Sequence, residues 1–222
     1  MRLQLSLSPN TEPVPFNHLH QLTGAIHKWL GPNDLHDGLS LYSFGWLRGG
    51  ESRNGSLHFP EGSHWAISFF DDAKDRLLLS GIIDEPEWAY GMKIHEIREV
   101  DPPSFRQQHR FLTDGSSIVV RQKRLDGSRA YVLWDDPLAD ETLTQSFRRK
   151  LTTAGFTGDD LNATATFDRT YESARTRKIS IKGTQHRGSE YPVIIEGTSD
   201  AQYFAWTAGI GELTGSGFGA LR

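Results

Sequence analysis

The stretch GIGELTGSGFGALR, residues 209–222, carries the most informative pattern in the chain, because glycines crowd its first eleven positions. These glycines are Gly209, Gly211, Gly215, Gly217 and Gly219. Glycine tolerates positive φ and lets a ligand approach the backbone closely, so the amide N–H groups of such a segment can face phosphates. The stretch lacks the Gly-Lys-Ser/Thr ending of a Walker loop, and it follows a predicted helix, unlike a Rossmann fingerprint. On composition alone, a flexible tail explains it equally well.

A basic segment precedes the glycine-rich stretch. Residues 169–187 contain six Lys or Arg residues and one acid, whereas the whole chain has a formal net charge of −4. Such a local concentration on an acidic chain indicates a single nucleic-acid-binding face. In the predicted strand of this segment, period-2 alternation puts Arg175 and Arg177 on one face and Lys178 and Lys182 on the other. A solvated hairpin that binds nothing is the alternative interpretation.

Hydrophobic periodicity predicts the remaining elements. In the second half, strands are predicted over 104–111, 117–122, 162–168, 174–182, 191–196 and 217–221, and helices over 138–153 and 199–208. In the first half, strands are predicted over 2–7, 39–47, 64–70 and 89–99, helices over 16–30 and 71–80, and a loop over 49–56. The first half follows the β-α-β-β-α-β order of ferredoxin-like folds, and the second half roughly repeats it.

Asp101-Pro102-Pro103 is the strongest boundary signal in the chain, because consecutive prolines break regular structure. We therefore expect an α+β protein of two tandem ferredoxin-like (RRM-like) domains. Residues 1–100 would form the first domain and residues 101–222 the second.

Composition restricts the chemistry. The 222-residue chain contains no cysteine, which excludes disulfides, thiol catalysis and cysteine-ligated zinc. It has no run of about 20 apolar residues that could form a transmembrane helix, and its start alternates like a strand rather than a signal peptide. Neither an HExxH motif nor a cluster of carboxylates indicates a metal site. We expect a cytoplasmic protein that requires neither a metal nor a cofactor.

Several segments resemble the CRISPR repeat-cleaving endoribonucleases, the sixth CRISPR-associated family. Gly-Ile-Gly-x-x-x-Gly-x-Gly-Phe-Gly at 209–219 resembles that family's carboxyl-terminal glycine-rich loop. RTRKISIKG (175–183) and YPVIIEG (191–197) resemble its basic hairpin and return strand. PFNHLHQLTGAIHKWL (15–30) and LHDGLSLYSFGWL (35–47) resemble its first helix, catalytic-histidine turn and second strand. The middle of the chain resembles the family only in the order of its elements.

The resemblance implies binding of CRISPR repeat RNA and one cut per repeat, leaving a 2′,3′-cyclic phosphate and a 5′-hydroxyl. Attack by a 2′-OH already present in the RNA requires a base, an acid and stabilisation of charge on the phosphate, but no metal. Candidate partners are precursor CRISPR RNA, subunits of a CRISPR effector complex and a second copy of the chain. The four basic residues and five glycines named above are the candidate RNA contacts.

His36 is the candidate catalytic residue. It lies in Leu35-His36-Asp37-Gly38, between the first helix and the second strand, where the family carries its catalytic histidine. Imidazole ordinarily titrates near neutral pH and can act as a general acid or base. Without the resemblance, an ordinary loop histidine beside a turn is the better interpretation.

His27 is the candidate partner of His36. It lies on the rim of the apolar face of the first helix, where some family members carry an assisting tyrosine. A histidine that only shields the core is an equally good interpretation, and His20 and Tyr42 are reserve candidates. His18 and His20 would project about 200° apart on a helix, so they cannot chelate a metal together.

The chain departs from the family in one respect. Some members carry a lysine that enters the second strand, where it can stabilise charge on the phosphate. The corresponding place here is near Ser40, and residues 38–47 contain no Lys or Arg. Lys28, Arg48 or the basic hairpin would have to supply this charge.

The alternative function is a non-catalytic repeat-RNA-binding subunit of an effector complex. An unrelated RRM-like module is disfavoured because the chain has no RNP motif.

Overall fold

The computed structural model describes residues 1–35 and 38–222 of the chain. In its first half the elements are β1 (Arg2–Leu7), α1 (Leu19–Leu30), β2 (Tyr42–Phe44), β3 (Glu51–Arg53), β4 (Ser56–His58), β5 (Ser63–Phe69), α2 (Asp72–Asp84) and β6 (Ile94–Glu99). Four of these strands form an antiparallel sheet in the order β2-β5-β1-β6. The sheet and both helices contribute to one hydrophobic cluster. The predicted β-α-β-β-α-β order is therefore present, with one inserted hairpin.

Helix α1 forms because apolar residues recur at helical spacing along its sequence. The buried residues at this spacing are Leu19, Leu22, Ile26, Trp29 and Leu30. The helix ends where Gly31 takes a φ of 67°, a conformation that glycine adopts at little cost. Its start is later than predicted, because residues 16–18 form a turn in which the His18 ring hydrogen-bonds to the Pro15 carbonyl at 2.9 Å.

Helix α2 packs against α1 at a position where only glycine fits. The helix was predicted to end at residue 80, but it continues through Gly81 to Asp84. The Asp71 carboxylate caps its start by accepting a hydrogen bond from the backbone N–H of Ala73 at 2.9 Å. A Cβ at Gly81 would lie 1.9 Å from the carbonyl oxygen of Trp29. The two helices can therefore approach closely because position 81 has no side chain.

The hairpin of β3 and β4 covers most of the segment that was predicted to be a loop over 49–56 and extends to residue 58. Its turn is Asn54-Gly55, with φ values of 51° and 75°. Positive φ at both central residues is the type I′ geometry that Asn-Gly favours in two-residue hairpins. The loop prediction was wrong because it weighed the glycine, serine and asparagine content and overlooked this dipeptide.

In the second half the elements are β7 (Gln108–Phe111), β8 (Arg121–Lys123), β9 (Arg129–Tyr131), α3 (Ala139–Thr153), β10 (Thr164–Phe167), β11 (Arg175–Ile181), β12 (Thr184–Glu190), β13 (Val193–Glu196) and α4 (Ser199–Ala208). A three-stranded sheet has the order β10-β13-β7, and the pairs β8-β9 and β11-β12 form separate hairpins. This half has a hydrophobic cluster of its own. Among the described residues, no helix is long and apolar enough to cross a membrane. The protein is α+β with two tandem ferredoxin-like units, and the division into 1–100 and 101–222 stays a prediction.

The strand predicted over 217–221 is not a regular strand. Leu221 forms an isolated bridge with Thr113, but the backbone N–H of Gly219 donates to the carbonyl of Ser117 at 2.9 Å. The carbonyl of Gly219 accepts from the backbone N–H of Ile210 at 2.9 Å. Because neighbouring residues bond to different partners on both sides, no continuous ladder forms.

Buried polar contacts join the two halves. Ser43 Oγ of β2 donates to the carbonyl of Thr207 in α4 at 2.8 Å. Arg2 Nε of β1 donates to Ser68 Oγ at 2.7 Å, and its guanidinium lies 4.0 Å from the ring centroid of Trp206. The same guanidinium donates to the Trp206 carbonyl. Burial lowers the pKa of Arg2 to about 9, which is still high enough to keep this residue charged at neutral pH.

Replacing Gly81 with alanine is expected to lower the free energy of unfolding by about 1–3 kcal/mol, because the new methyl group forces α1 and α2 apart. Gly24→Ala is the matched control, since Gly24 is exposed on α1 and a Cβ there would meet nothing within 4 Å. That change should raise the free energy of unfolding by about 0.5–1 kcal/mol through helix propensity. Urea unfolding measures both values. A Gly81→Ala protein as stable as Gly24→Ala would contradict the close approach.

Candidate functional site

The segment after α1 is organised by Asn33. Asn33 Oδ1 lies 3.0 Å from His27 Nδ1 and accepts a second hydrogen bond from the backbone N–H of Leu35 at 3.3 Å. Asn33 Nδ2 donates to the Gly31 carbonyl at 2.7 Å. With the amide oxygen as acceptor, the neutral His27 ring carries its proton on Nδ1. The predicted catalytic residue His36 lies outside the described residues, one position beyond Leu35.

Two further contacts hold the described residues on either side of positions 36 and 37. On one side, Lys74 Nζ of α2 donates to Asp34 Oδ1 at 2.7 Å, and this hydrogen bond lowers the pKa of the exposed Asp34. On the other side, Thr214 Oγ1 donates to the carbonyl of Ser40 at 3.4 Å. Asp34 is therefore attached to α2, and Ser40 is attached to the glycine-rich segment.

The glycine-rich segment is packed into the protein, so the flexible tail is excluded. Tyr42 OH donates to the carbonyl of Gly215 at 3.1 Å, and Trp46 Nε1 donates to that of Gly217 at 2.7 Å. A Cβ at Gly215 would lie 2.7 Å from Tyr42 OH, and one at Gly217 would lie 2.9 Å from the Phe44 ring. These glycines let the segment lie directly on β2. Burial raises the pKa of Tyr42, so this reserve candidate stays protonated and bonded at neutral pH.

Several backbone N–H groups of the glycine-rich segment already donate hydrogen bonds within the protein. The backbone N–H groups of Gly209, Gly217 and Gly219 donate to the carbonyls of Ala205, Thr214 and Ser117, at 3.0, 3.3 and 2.9 Å. Gly211 and Gly215 are also buried. Packing therefore accounts for the glycines, and their contact with RNA stays a prediction.

Lys150 of α3 is buried beneath the same segment. Its Nζ donates to the carbonyls of Ala208 and Gly209 at 2.6 and 3.0 Å and to Thr214 Oγ1 at 3.2 Å. The first two acceptors lie at the carboxyl end of α4, where a cation is favourable. Desolvation by burial lowers the pKa of Lys150 to about 7. Lys150 thus ties the end of α4 to Thr214, which in turn reaches Ser40.

A basic pocket of about 420 Å³ opens between the turn and the second half of the chain. The side chains that give it its charge are Arg121, Arg129, Arg149, Lys150 and Glu212, and its rim includes residues 38–40. Arg121 donates to Glu212 Oε2 through Nε at 2.9 Å and through Nη2 at 2.5 Å, and Arg129 Nη1 donates to the same oxygen at 3.1 Å. Sequence reasoning missed this pocket, because its residues come from four separate segments.

The other two cations considered for the phosphate are bound to acids. Lys28 Nζ lies 2.9 Å from Glu85 Oε1 and donates to the carbonyl of Glu87 at 2.8 Å. Arg48 forms a salt bridge with the buried Asp114. Neither Lys28 nor Arg48 is among the residues that line the basic pocket.

In the β11-β12 hairpin, the alternation predicted for β11 is largely present. Arg175 and Arg177 share a face, on which Arg177 Nε donates to Glu190 Oε2 at 2.5 Å. Lys178 lies on the opposite face, directly across from Arg187, and both are exposed. Like charges in this position repel each other, so a bound anion would stabilise the pair. Lys182 was predicted on the same face as Lys178 but lies in the turn.

The turn of this hairpin is Lys182-Gly183, with φ values of 47° and 81°. The strand prediction for Lys182 failed because a glycine in second place allows a two-residue turn with positive φ at both positions. Lys182 is exposed at the tip of the hairpin.

The β8-β9 hairpin is a second basic element that sequence reasoning missed. Its eleven residues, 121–131, contain four Lys or Arg residues and one acid. The strand predicted over 117–122 overlaps only the first two residues of β8. The short β9 was not predicted, although Asp126-Gly127 in the turn is a hairpin signal. Tyr131 OH donates to the carbonyl of Gln185 at 3.1 Å and lies 3.2 Å from His186 Nδ1. The two basic hairpins therefore lie side by side, and β8-β9 reaches the basic pocket through its arginines.

These features define a protein with two tandem ferredoxin-like units and a concentration of cations on the second. Residues 100–222 match the family model of the CRISPR-associated protein Cas6, C-terminal. The match covers more than half of the chain, so the chain belongs to the Cas6 family. The resemblance stated from the sequence is thereby confirmed. No curated protein sequence matches the chain.

Solved structures share the fold along the whole chain. A Cas6-related protein from Pyrococcus furiosus is 20% identical, with a TM-score of 0.87 over 100% of this chain and 97% of that one. A RAMP protein described as binding different RNA substrates is 19% identical, with a TM-score of 0.84 and coverages of 100% and 98%. A Cas6 product complex is 13% identical, with a TM-score of 0.71 and coverages of 100% and 99%. At these identities the likeness supports the fold and no individual residue.

Replacing Lys178 and Arg187 together with alanine should weaken repeat-RNA binding and flatten its salt dependence, because fewer counterions are released. For single-stranded RNA, removing one phosphate interaction should reduce the slope of log K against log salt by about 0.7. Stability should not fall, because two repelling cations are removed. Fluorescence anisotropy across a salt series measures the slope.

The control for this pair is Arg76→Ala with Arg98→Ala, which removes the same charge from exposed positions on α2 and β6. Strand β6 is the edge of its sheet opposite β2, away from the glycine-rich segment. If both double variants show the same slope, the exposed face of the β11-β12 hairpin does not contact RNA.

Proposed function

We propose that this chain binds CRISPR repeat RNA and cleaves precursor transcripts into guide RNAs without a metal ion. The 2′-OH of one nucleotide attacks the adjacent phosphorus, the bond from phosphorus to the 5′-oxygen breaks, and a 2′,3′-cyclic phosphate and a 5′-hydroxyl remain. Membership of the Cas6 family carries the proposal, together with the His27–Asn33 pair directly before the turn of His36. Two proteins of the same fold, a Cas6 in a product complex and a RAMP protein that binds different RNA substrates, agree with this function.

The two proton transfers are assigned to His36 and His27. One imidazole takes the proton from the 2′-OH, and the other delivers a proton to the departing 5′-oxygen, which is work that histidine does near neutral pH. Asn33 contributes by holding His27 Nδ1, so that Nε2 is the nitrogen that exchanges a proton. In other enzymes, a neighbouring side chain fixes the tautomer of the catalytic histidine in the same way. Asn33 is therefore a positioning residue.

Metal independence is supported by the chemistry of the substrate, which carries its own nucleophile. Residues 1–35 and 38–222 contain no group of three or more His, Cys, Asp or Glu that could hold a metal ion. The His18 and His20 rings hydrogen-bond to different carbonyls, those of Pro15 and Asn17, at 2.9 and 3.0 Å.

The second candidate function is a non-catalytic subunit that holds the repeat RNA in a CRISPR effector complex. The observation that favours it is the absence of Lys and Arg from residues 38–47, where catalytic members can carry a lysine. Effector-complex subunits and a second copy of the chain would then be the protein partners. Turnover of a repeat RNA separates the two functions, since a pure binding subunit would hold the RNA intact.

Cleavage of the repeat RNA encoded beside this gene is expected to proceed at the same rate in EDTA as in Mg²⁺, because the nucleophile needs no metal to form. Single-turnover rates at one ionic strength measure this, with product ends identified by mass. Activity that disappears in EDTA and returns with Mg²⁺ or Mn²⁺ would contradict the proposed mechanism. Intact RNA that remains bound under every condition would favour the binding subunit.

His36→Ala is expected to lower the single-turnover rate by about 10²–10⁴-fold while the dissociation constant for repeat RNA stays nearly unchanged, because general acid–base catalysis contributes in this range. His27→Ala should give a smaller but clear decrease. Asn33→Ala should lower the rate as well, since the His27 ring loses the acceptor of its Nδ1 proton.

The control for these variants is His95→Ala, an exposed histidine on β6. His95→Ala should cleave like the wild type. A His36→Ala enzyme within about threefold of the wild-type rate, far below the general acid–base range, refutes the assignment. Parallel loss of binding and cleavage would instead make His36 an RNA contact or a structural residue.

A further inference from the structure

The proposed reaction needs a cation near the turn of His36, and β2 does not supply one. Charge accumulates on the non-bridging oxygens of the phosphate during 2′-OH attack, and donors fixed in advance stabilise it best. Residues 38–47 contain no Lys or Arg. Lys28 is bound to Glu85, and Arg48 is bound to Asp114.

The basic pocket lies at the right place for this role. Its rim includes residues 38–40, which follow positions 36 and 37 directly in the chain. Its volume of about 420 Å³ is within the range of small-molecule sites and admits a phosphate with part of its sugar. Among the described residues that line it, the charged ones are Arg121, Arg129, Arg149, Lys150 and Glu212. Three arginines against one acid leave the pocket suited to an anion.

Four of these five charged residues are committed to the pocket's own structure. The Glu212 carboxylate, which is 11% exposed, accepts from both Arg121 and Arg129 through one oxygen. It therefore fixes two guanidiniums in place and neutralises only one of them. The ammonium of Lys150 donates to three acceptors inside the protein, so it forms the floor of the pocket and is not a ligand contact.

Arg149 differs from the other cations. It is exposed, it lines the pocket, and no hydrogen bond or ion pair engages its guanidinium within the described part of the chain. The preceding residue, Arg148, shows the contrast, because its guanidinium donates to the carbonyls of Ala163 and Asn162 at 2.9 Å each. Consecutive residues on α3 project about 100° apart, which directs Arg148 to the residues just before β10 and leaves Arg149 at the pocket.

We propose that the basic pocket binds the scissile phosphodiester of the RNA and that Arg149 contacts its non-bridging oxygens. Glu212 acts as a positioning residue, because it orients Arg121 and Arg129 toward the same phosphate. A cation from the second half of the chain thus supplies the charge that β2 lacks. This inference rests on the proposed function for its substrate, and it assigns a site and residues beyond the histidines.

The test compares Arg149→Ala, Arg149→Lys and the control Arg76→Ala on two RNAs. One RNA is the cleavable repeat, made with oxygen or with sulfur at a non-bridging position of the scissile phosphate. The other carries a 2′-deoxy residue at the cut, so that binding is measured without reaction. Arg149→Ala should lower the single-turnover rate by about 10²–10³-fold, as loss of one fixed donor to a developing oxyanion does. Arg149→Lys should recover part of this loss.

Sulfur substitution provides a readout that a structural role would not change. Sulfur accepts hydrogen bonds poorly, so the wild-type enzyme should be slowed by one thio-isomer, and Arg149→Ala should lose that sensitivity. Arg76→Ala should cleave like the wild type and keep the sensitivity to sulfur substitution. An Arg149→Ala enzyme that cleaves as fast as Arg76→Ala overturns the proposal, as does an unchanged thio effect.

Failure of the proposed function would be visible separately. If the wild-type protein binds the repeat but never cleaves it, the nuclease is refuted, and the 2′-deoxy RNA still tests the pocket. Arg149→Ala should then reduce the slope of log K against log salt by about 0.7 relative to Arg76→Ala, the value for removing one phosphate interaction. Equal slopes in the two variants would also refute the proposal that the pocket binds an RNA phosphate.

Discussion

The close packing of the glycine-rich segment against β2 is the constraint on which the rest of the molecule depends. Tyr42 and Trp46 donate hydrogen bonds to carbonyls of this segment, and a Cβ at Gly215 would meet the Tyr42 hydroxyl at 2.7 Å. A side chain there would push the two halves of the chain apart. Because interiors are close-packed, such a separation cannot be absorbed locally. The glycines therefore hold the two ferredoxin-like units in contact.

The same packing positions the candidate chemistry. Thr214 reaches the carbonyl of Ser40, and Lys150 holds Thr214 to the end of α4. Asn33 and Lys74 hold the other side of the turn. The described residues on both sides of positions 36 and 37 are therefore held by contacts with other elements. The first unit thus carries the candidate histidines, and their catalytic role stays a prediction.

Positively charged side chains are also distributed unevenly between the two units. The chain is acidic as a whole, yet the β8-β9 and β11-β12 hairpins and the basic pocket concentrate cations on the second unit. Contact between Tyr131 and Gln185 joins the two hairpins, and Glu212 orders two arginines at the pocket. Electrostatic attraction depends on distances of a few ångströms and on burial, so net charge alone is a poor guide to the RNA-binding face.

The sequence by itself determined what depends on local order: the β-α-β-β-α-β pattern, the end of α1 at Gly31, and the basic strand with Arg175 and Arg177. Its segments also resembled the family to which the match over residues 100–222 assigns the chain. It also contained signals that were overlooked, such as Asn54-Gly55. Only the tertiary structure decided that the glycines serve packing, that Asn33 holds His27, and that Arg149 lines a pocket with Arg121 and Glu212. Those contacts join residues far apart in the chain, and their geometry depends on how two hydrophobic cores pack together, which no local periodicity encodes.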